Sequence, residues 1–345
     1  MSENADRKIE LRKARWERFM KLDGKQAFMH VVVCSEGVPE RPWPAPANYQ
    51  ARLDWGSRSF ERRMNEMEWL EDDTVPFLEP FTGTEIFAAA LGCKVAYPED
   101  NMPFALPLID DASQLDRVKV PELSVSSLAV LFEIADELQR RAGPNALMRL
   151  IDVQSPMDIA ALVWDKNTFY TALLETPQAV RELASRVKEL LTAFLDRWFA
   201  RYGRAFMAHY PQYYMGSGLT ISEDEVGSVS PQLFQALFLP ELAELSARYG
   251  GLGMHCCANA RHQWEGFKQI PGLRLLNLNQ PAPVCEAAFP YFAGTCAQMP
   301  VAEPEWDPGR GPGQFPPGAH IVLTSTVKTR DEAVRRVEIF RRLFP

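Results

Sequence analysis

The chain has 345 residues, 46 % of them hydrophobic and 24 % charged, with a formal net charge of -8 at pH 7, a composition typical of a globular protein with a substantial core. The negative charge argues against nucleic acid as the main partner, because no surplus of lysine and arginine remains for phosphates. The sequence contains neither a run of about 18 apolar residues nor an apolar N-terminal signal, so neither a membrane span nor secretion is expected. The six cysteines show no disulfide-type pattern, which favours the cytoplasm.

Helices and short apolar strands alternate along the chain. Several helix starts carry clear signals: Ser155, Thr176 and Ser230 each precede a proline, and Thr329 and Glu332 form a capping box. Helices are predicted at residues 7–23 and 52–70 and shortly after Thr84. Further helices are predicted to begin after Ser155, Thr176 and Thr329, and one that begins after Ser230 is predicted to end at Gly250. Strands are predicted at residues 29–34, 74–79, 146–152, 205–210, 253–257, 273–277, 291–296 and 320–324.

Eight strands in this alternation predict an α/β protein, a single (β/α)8 TIM-type barrel over residues 1–345 with residues 1–28 as an N-terminal helical extension. A doubly wound open sheet is disfavoured because no Gly-x-Gly-x-x-Gly turn follows an early strand.

The stretch Gly251-Leu-Gly-Met-His-Cys-Cys-Ala-Asn259 is the most informative part of the sequence. On a strand, His255 and Cys257 point the same way and Cys256 points to the opposite face. An imidazole and a thiol that converge at a strand end make half of a zinc site, or a reactive thiol. The alternative is a hydrogen-bonded core histidine beside a cysteine that packs as a small hydrophobic residue.

Other polar residues follow the remaining strands, where barrel active sites lie. The candidates are Cys34, Glu36, Glu79, Asp152, Gln154, Tyr210, Tyr213, Tyr214, Glu223, Asp224, Asn277, Asn279, Cys296, Gln298, Ser325 and Thr326. Ordinary structural roles compete with function here. Glu79 and Asp152 could be capping carboxylates, the tyrosines could be core residues, and the acidic run at 223–225 could be a solvated turn.

Three segments, in this order, resemble the uroporphyrinogen decarboxylase superfamily, and within it the zinc-dependent corrinoid methyltransferases. They are Ile221-Ser-Glu-Asp-Glu-Val-Gly-Ser-Val-Ser-Pro-Gln-Leu-Phe234, Phe238-Leu-Pro-Glu241 and Met254-His-Cys-Cys-Ala-Asn259. They are similar to the family's acidic segment, its Ser-Pro-x-x-Phe helix start and its His-x-Cys-Gly motif, with Ala258 in place of the glycine. Weaker similarity extends over most of the chain.

The resemblance implies that zinc activates a small thiol, which takes a methyl group from a corrinoid protein, and that the enzyme is commonly a homodimer. His255 and Cys257 would be metal ligands. The family's third ligand is a cysteine in the last-strand loop, where this chain has Thr324-Ser-Thr326. Cys296 could replace it, or Glu223 or Asp224 could supply an oxygen.

The remaining candidates take catalytic or substrate-binding roles in this interpretation. Glu223, Asp224 and Tyr210 are the catalytic candidates. The substrate-binding candidates are Glu79, Asp152, Tyr213, Tyr214, Asn277 and Gln298. The proline-rich segments 37–46 and 304–317 would be rim loops facing the corrinoid partner.

One departure from the family argues against porphyrinogen decarboxylation. True uroporphyrinogen decarboxylases carry Arg-Gln-Ala-Gly-Arg after the first strand, whereas this chain has Ser35-Glu-Gly-Val-Pro-Glu-Arg-Pro42. The alternatives to a zinc methyltransferase are a metal-free member of the superfamily that acts on a small carboxylated or methylated molecule, and a barrel that binds without catalysis.

Overall fold

The computed structural model describes residues 3–34, 40–300, 313 and 315–345. The candidate Glu36 lies outside the described residues, as do most of segment 304–317 and the first part of segment 37–46. The strands are β1 Ala27–Val33, β2 Lys94–Ala96, β3 Phe104–Leu106, β4 Phe206–Met207, β5 Tyr214–Met215, β6 Leu219–Ser222, β7 Leu252–Cys256, β8 Leu273–Leu278, β9 Ala297–Gln298 and β10 Ile321–Val327.

The helices lie between these strands and flank them. They are α1 Glu3–Phe19, α2 Tyr49–Trp69, α3 Ile86–Ala90, α4 Ala129–Ala142, α5 Pro156–Val163, α6 Lys166–Glu175, α7 Pro177–Tyr202, α8 Pro231–Leu233, α9 Leu239–Tyr249, α10 Trp264–Phe267, α11 Ala282–Phe292 and α12 Arg330–Leu343. A π-helical turn at Phe234–Phe238 joins α8 to α9. Among the described residues, no helix is both long enough and apolar enough to cross a membrane.

The barrel is built around a parallel sheet in the order β1-β10-β9-β8-β7-β6. Two irregular segments continue the ring: Gln154 bridges Ser222 of β6, and Met148 bridges Leu78. The N–H of Asp73 donates to the carbonyl of Met29 in β1. The second and third strand positions are therefore occupied by segments around residue 78 and residues 148–154, which completes the predicted (β/α)8 barrel.

The second strand is irregular because Pro76 and Pro80 flank Leu78 and remove two backbone donors from the ladder. The strand predicted at 291–296 is wrong. Helix α11 continues to Phe292, and its buried residues Cys285, Ala288, Phe289 and Phe292 recur at helical spacing. Strand β6 escaped prediction because it is only four residues long and is buried throughout.

The predicted N-terminal helix closes the amino-terminal end of the barrel. The Trp16 and Phe19 rings pack on Phe28 with centroid distances of 4.9 and 4.2 Å. The Trp16 indole also donates to the carbonyl of Asp73 at 2.7 Å. With this end filled, the carboxyl ends of the strands are the open end of the barrel.

The capping box that starts α12 offers a simple stability test. The Thr329 hydroxyl accepts from the N–H of Glu332 at 3.2 Å, and the Glu332 carboxylate accepts from the N–H of Thr329 at 3.2 Å. We expect Thr329→Ala to lower the free energy of unfolding by about 1 kcal/mol in urea titrations, because it removes the first acceptor. Thr329→Ser keeps the hydroxyl and should behave as wild type. An equal loss in both variants would assign the effect to the threonine methyl group.

Candidate metal centre

Asp224, His255 and Cys257 converge at the carboxyl ends of β6 and β7. Their potential ligand atoms all lie within 4.8 Å of one another. Among the described residues, no other group of three histidine, cysteine or acidic side chains comes this close together. The His255 side chain is buried, while Cys257 is exposed. One oxygen, one nitrogen and one sulfur donor are all ligands that zinc accepts in proteins.

The imidazole of His255 is held in one orientation by Asn277 on β8. The Asn277 amide nitrogen donates to the carbonyl of Met299, so its oxygen faces Nδ1 of His255. Nδ1 therefore donates to this oxygen, and Nε2 is the ring nitrogen that Asn277 leaves unoccupied. A histidine oriented in this way can bind a metal through Nε2.

This arrangement predicts an effect of Asn277 on metal affinity. We expect Asn277→Ala to weaken zinc binding by about 10- to 100-fold in a competition with a chromophoric chelator, because His255 loses its orienting acceptor. Asn277→Asp keeps an acceptor and should retain most of the affinity. The exposed neighbour Asn279 provides the control. If Asn279→Ala weakens binding as much as Asn277→Ala does, the orienting role is contradicted.

Asp224 is positioned by the backbone of its own turn. Its Oδ1 accepts from the N–H of Cys257 at 2.6 Å, which ties the ends of β6 and β7 together. The N–H groups of Asp224 and Glu225 donate to the carboxylate of Asp158 at 2.8 and 2.9 Å. Asp158 lies in the first turn of α5, and sequence reasoning missed it. The only sequence signal was its place three residues after the helix cap, Ser155.

Glu223 has a different environment from Asp224. Its carboxyl group is fully buried, and burial together with the negative charge of Asp158 raises its pKa well above the ordinary range. Since the oxygens of Asp158 already accept two N–H groups, Glu223 is the member of this pair that carries the proton. A protonated carboxyl behind the turn is not an oxygen donor to the centre, so Asp224 is the acidic residue that the structure brings to His255 and Cys257.

The thiol of Cys257 is not activated by its protein surroundings. Its pKa is raised to about 12, chiefly by burial and to a smaller extent by a hydrogen bond to Asp224 and the charges of Asp224 and Asp158. Reactive cysteines need a cationic neighbourhood, which these carboxylates oppose. Of the two functional interpretations of His255 and Cys257, the electrostatics favour a metal ligand over a free nucleophile.

Tyr210 and Asp152 stand beside this centre. The Tyr210 ring meets the His255 ring edge-on at a centroid distance of 4.9 Å, and the residue is 39 % exposed. Burial raises the pKa of Asp152 to about 6, with Arg149 opposing the shift and Asp224 adding to it. The Oδ1 atom of Asp152 is buried without a hydrogen-bond partner and lies 3.7 Å from Nε2 of His209.

A cavity of about 200 Å³ lies here, and its lining includes Tyr210, Asp152, His209, Arg41, Phe81 and Arg149. His209 is neutral there, because its pKa is lowered well below the ordinary value, chiefly by burial and also by the charge of Arg149. Its Nε2 lies 3.0 Å from the hydroxyl of Ser222. The cavity thus combines one unpaired carboxylate oxygen with two guanidinium groups.

Glu79 is the counter-ion of an arginine cluster. It is buried and pairs with Arg63 at 2.6 Å, with Arg41 at 3.1 Å and with Arg149. Burial alone would raise the pKa of Glu79, but the charges of Arg149, Arg63 and Arg41 outweigh it and hold the pKa at about 2. The sequence pointed to Glu79 but not to the three arginines, because they come from separate elements.

Besides Glu223 and Glu79, four further predicted site residues are not brought to the centre. Cys296 is fully buried outside the metal group, and burial raises its pKa to about 12. The Gln298 amide donates outward to the carbonyl of Phe289 at 3.1 Å. Tyr213 and Tyr214 belong to the β4–β5 hairpin. The hydroxyl of Tyr213 lies against Gly253 near the start of β7, and the phenol of Tyr214 faces the acidic side chains of α1.

Comparisons with known proteins agree with this architecture. A sequence model of the family "Uroporphyrinogen decarboxylase (URO-D)" matches residues 80–298. Among solved structures, a methyltransferase from Methanosarcina mazei is similar over 96 % of this chain and 98 % of its own, with a TM-score of 0.66 and 11 % sequence identity. No curated protein matches by sequence. The matched segment contains Asp152, Asp224, His255 and Cys257, and it leaves out β1 and β10.

Proposed function

Because this chain belongs to the uroporphyrinogen decarboxylase family, we propose that it is a methyltransferase that moves a methyl group between a corrinoid carried by a partner protein and a small thiol. The observation that carries the proposal is the convergence of Asp224, His255 and Cys257 at the open end of the barrel. The similarity in fold to a methyltransferase supports the reaction class.

The residues present fit a zinc ion. His255 would supply Nε2, Cys257 sulfur, and Asp224 an oxygen in place of the cysteine found in the last-strand loop of the related methyltransferases. Three protein ligands leave a fourth position for substrate, which is the usual composition of a catalytic zinc site. Zinc at this position would lower the pKa of a substrate thiol and hold it as the thiolate.

The neighbouring side chains would bind the acceptor and receive its proton. Tyr210 is partly exposed beside His255 and would form a wall of the acceptor site. The free oxygen of Asp152, with its pKa near 6, is mostly ionised at neutral pH and can take up one proton. Neutral His209 beside it can bind substrate but carries no charge of its own.

The test is the zinc content of protein purified without added metal or chelator, followed by methyl transfer from methylcobalamin to a panel of small thiols. We expect about one zinc per chain and an activity that chelation removes and zinc restores. Absence of bound zinc, even after zinc is offered, would contradict the proposal.

A second candidate function rests on the cavity beside the centre. Arg41 and Arg149 reach the same 200 Å³ space as Asp152 and His209, which suits a small anionic substrate handled without metal. Turnover of a small carboxylated compound by zinc-free protein would favour this candidate.

A further inference from the structure

A second cavity, of about 460 Å³, lies at the rim of the barrel mouth between α2, α3 and the start of α4. Its volume is within the range of small-molecule sites, about 300–1,000 Å³. The lining residues that matter here are Tyr49, Arg52, Glu85, Ala89, Tyr97 and Val130. It is distinct from the candidate metal centre, whose three residues do not line it.

Two charged side chains are buried in the wall of this rim cavity. Arg52 is 8 % exposed and Glu85 is 4 % exposed. One guanidinium nitrogen of Arg52 donates to the carbonyl of Phe81 at 2.6 Å, but Nε has no partner, and Oε2 of Glu85 has none either. Within the described residues, neither side chain makes a salt-bridge contact, and the charges of Arg52 and Glu85 act on each other only without contact. Buried polar atoms are usually satisfied, so both atoms await a partner that the protein does not supply.

The rest of the wall is suited to an apolar body. Ala89 and Val130 contribute aliphatic surface, and Tyr49 and Tyr97 contribute aromatic surface. Tyr97 is 49 % exposed, so one side of the rim cavity opens to solvent and a small molecule can enter.

We propose that the rim cavity binds a small monocarboxylate with an aromatic or aliphatic body, whose carboxylate accepts hydrogen bonds from Nε of Arg52 and from the acid proton of Glu85. Burial raises the pKa of Glu85 to about 7, so its carboxyl can hold that proton near neutral pH. A cationic ligand would be repelled by the buried guanidinium of Arg52.

Thr82 connects this site with the barrel centre. It lines both the rim cavity and the 200 Å³ cavity, and its hydroxyl accepts from the N–H of Asp152 at 3.0 Å. A carboxylate bound at the rim would therefore lie next to the candidate active site without contacting a metal ligand. The inference does not depend on the proposed methyl transfer, and it is tested on protein with and without zinc.

The experiment is a calorimetric titration of the protein with benzoate and benzylamine near pH 6.5. We expect benzoate to bind with similar affinity in chelated and zinc-loaded protein, and benzylamine to bind about tenfold more weakly or not at all. Arg52→Gln should weaken benzoate binding about tenfold or more, because a charged donor is lost.

Two further variants keep the test independent of any folding defect in Arg52→Gln. Val130→Trp fills the rim cavity from a partly exposed helix position and should abolish benzoate binding, whereas Arg140→Gln, on the same helix but outside the cavity lining, should leave it unchanged. Benzoate affinity that survives in both Arg52→Gln and Val130→Trp would place the carboxylate elsewhere and overturn the inference. Tighter binding of benzylamine than benzoate, or no benzoate binding by wild type, would overturn it as well.

Discussion

His255→Ala and Cys257→Ala are each expected to abolish zinc binding at the concentrations where wild type is saturated, and Asp224→Asn is expected to weaken it severely. Zinc sites in small proteins are worth about 10–16 kcal/mol, so each of three or four ligands accounts for roughly 3 kcal/mol, or more than about 100-fold in affinity. Zinc per folded chain, measured by elemental analysis and by chelator competition, gives the result directly.

The matched controls are the neighbouring cysteines. Cys256 precedes Cys257 directly but lies outside the metal group, and Cys296 was the alternative third ligand. Cys256→Ala and Cys296→Ala should both keep about one zinc per chain. If Cys296→Ala loses zinc while Asp224→Asn keeps it, the proposed third ligand is wrong and Cys296 takes that place.

Glu79→Gln is expected to lower the free energy of unfolding by about 3–5 kcal/mol in urea titrations near neutral pH. The variant keeps the size of the side chain but leaves Arg63 and Arg149 buried without a counter-charge, together with the half-exposed Arg41. A suitable control is Glu137→Gln, since Glu137 also pairs with two arginines but lies partly exposed on the surface of α4. That change should have little effect on stability.

The same ion cluster predicts a pH dependence. Glu79 has a folded-state pKa of about 2, below its ordinary value of 4.5, so its ionisation stabilises the fold above about pH 4.5. This contribution is lost as the pH falls from 4.5 towards 2. The stability difference between wild type and Glu79→Gln should therefore shrink between pH 6 and pH 3.5. A constant difference over that range would show that geometry, and not charge, makes Glu79 important.

The sequence was most informative where the relevant physics is local. The capping box of α12 formed as predicted. Strand alternation predicted that His255 and Cys257 point the same way, and their ligand atoms do lie close together, although β7 ends at Cys256 and Cys257 is the residue after it. The barrel and the family were predicted from the alternation of elements and from the motif order, and both are confirmed.

The sequence was least informative where side chains from distant elements meet. The cluster around Glu79 joins Arg41 from a loop, Arg63 from α2 and Arg149 from the third strand position, and no spacing along the chain encodes that meeting. Asp224 and Glu223 are adjacent and chemically alike. Only the fold shows that one faces the centre while the other is buried beside Asp158. The Gln298 amide bonds to Phe289 on α11, because strand parity decides which way the side chain points.

The closure of the barrel by β1 and β10 has a consequence for synthesis of the chain. Seven residues of β1 pair in register with residues 321–327, almost the whole length of the chain away. During translation β1 emerges long before its partner on one side. Until β10 emerges, β1 presents on that side an unpaired apolar edge, the kind of surface that recruits foreign strands. Folding of the nascent chain therefore depends on shielding this edge until β10 arrives.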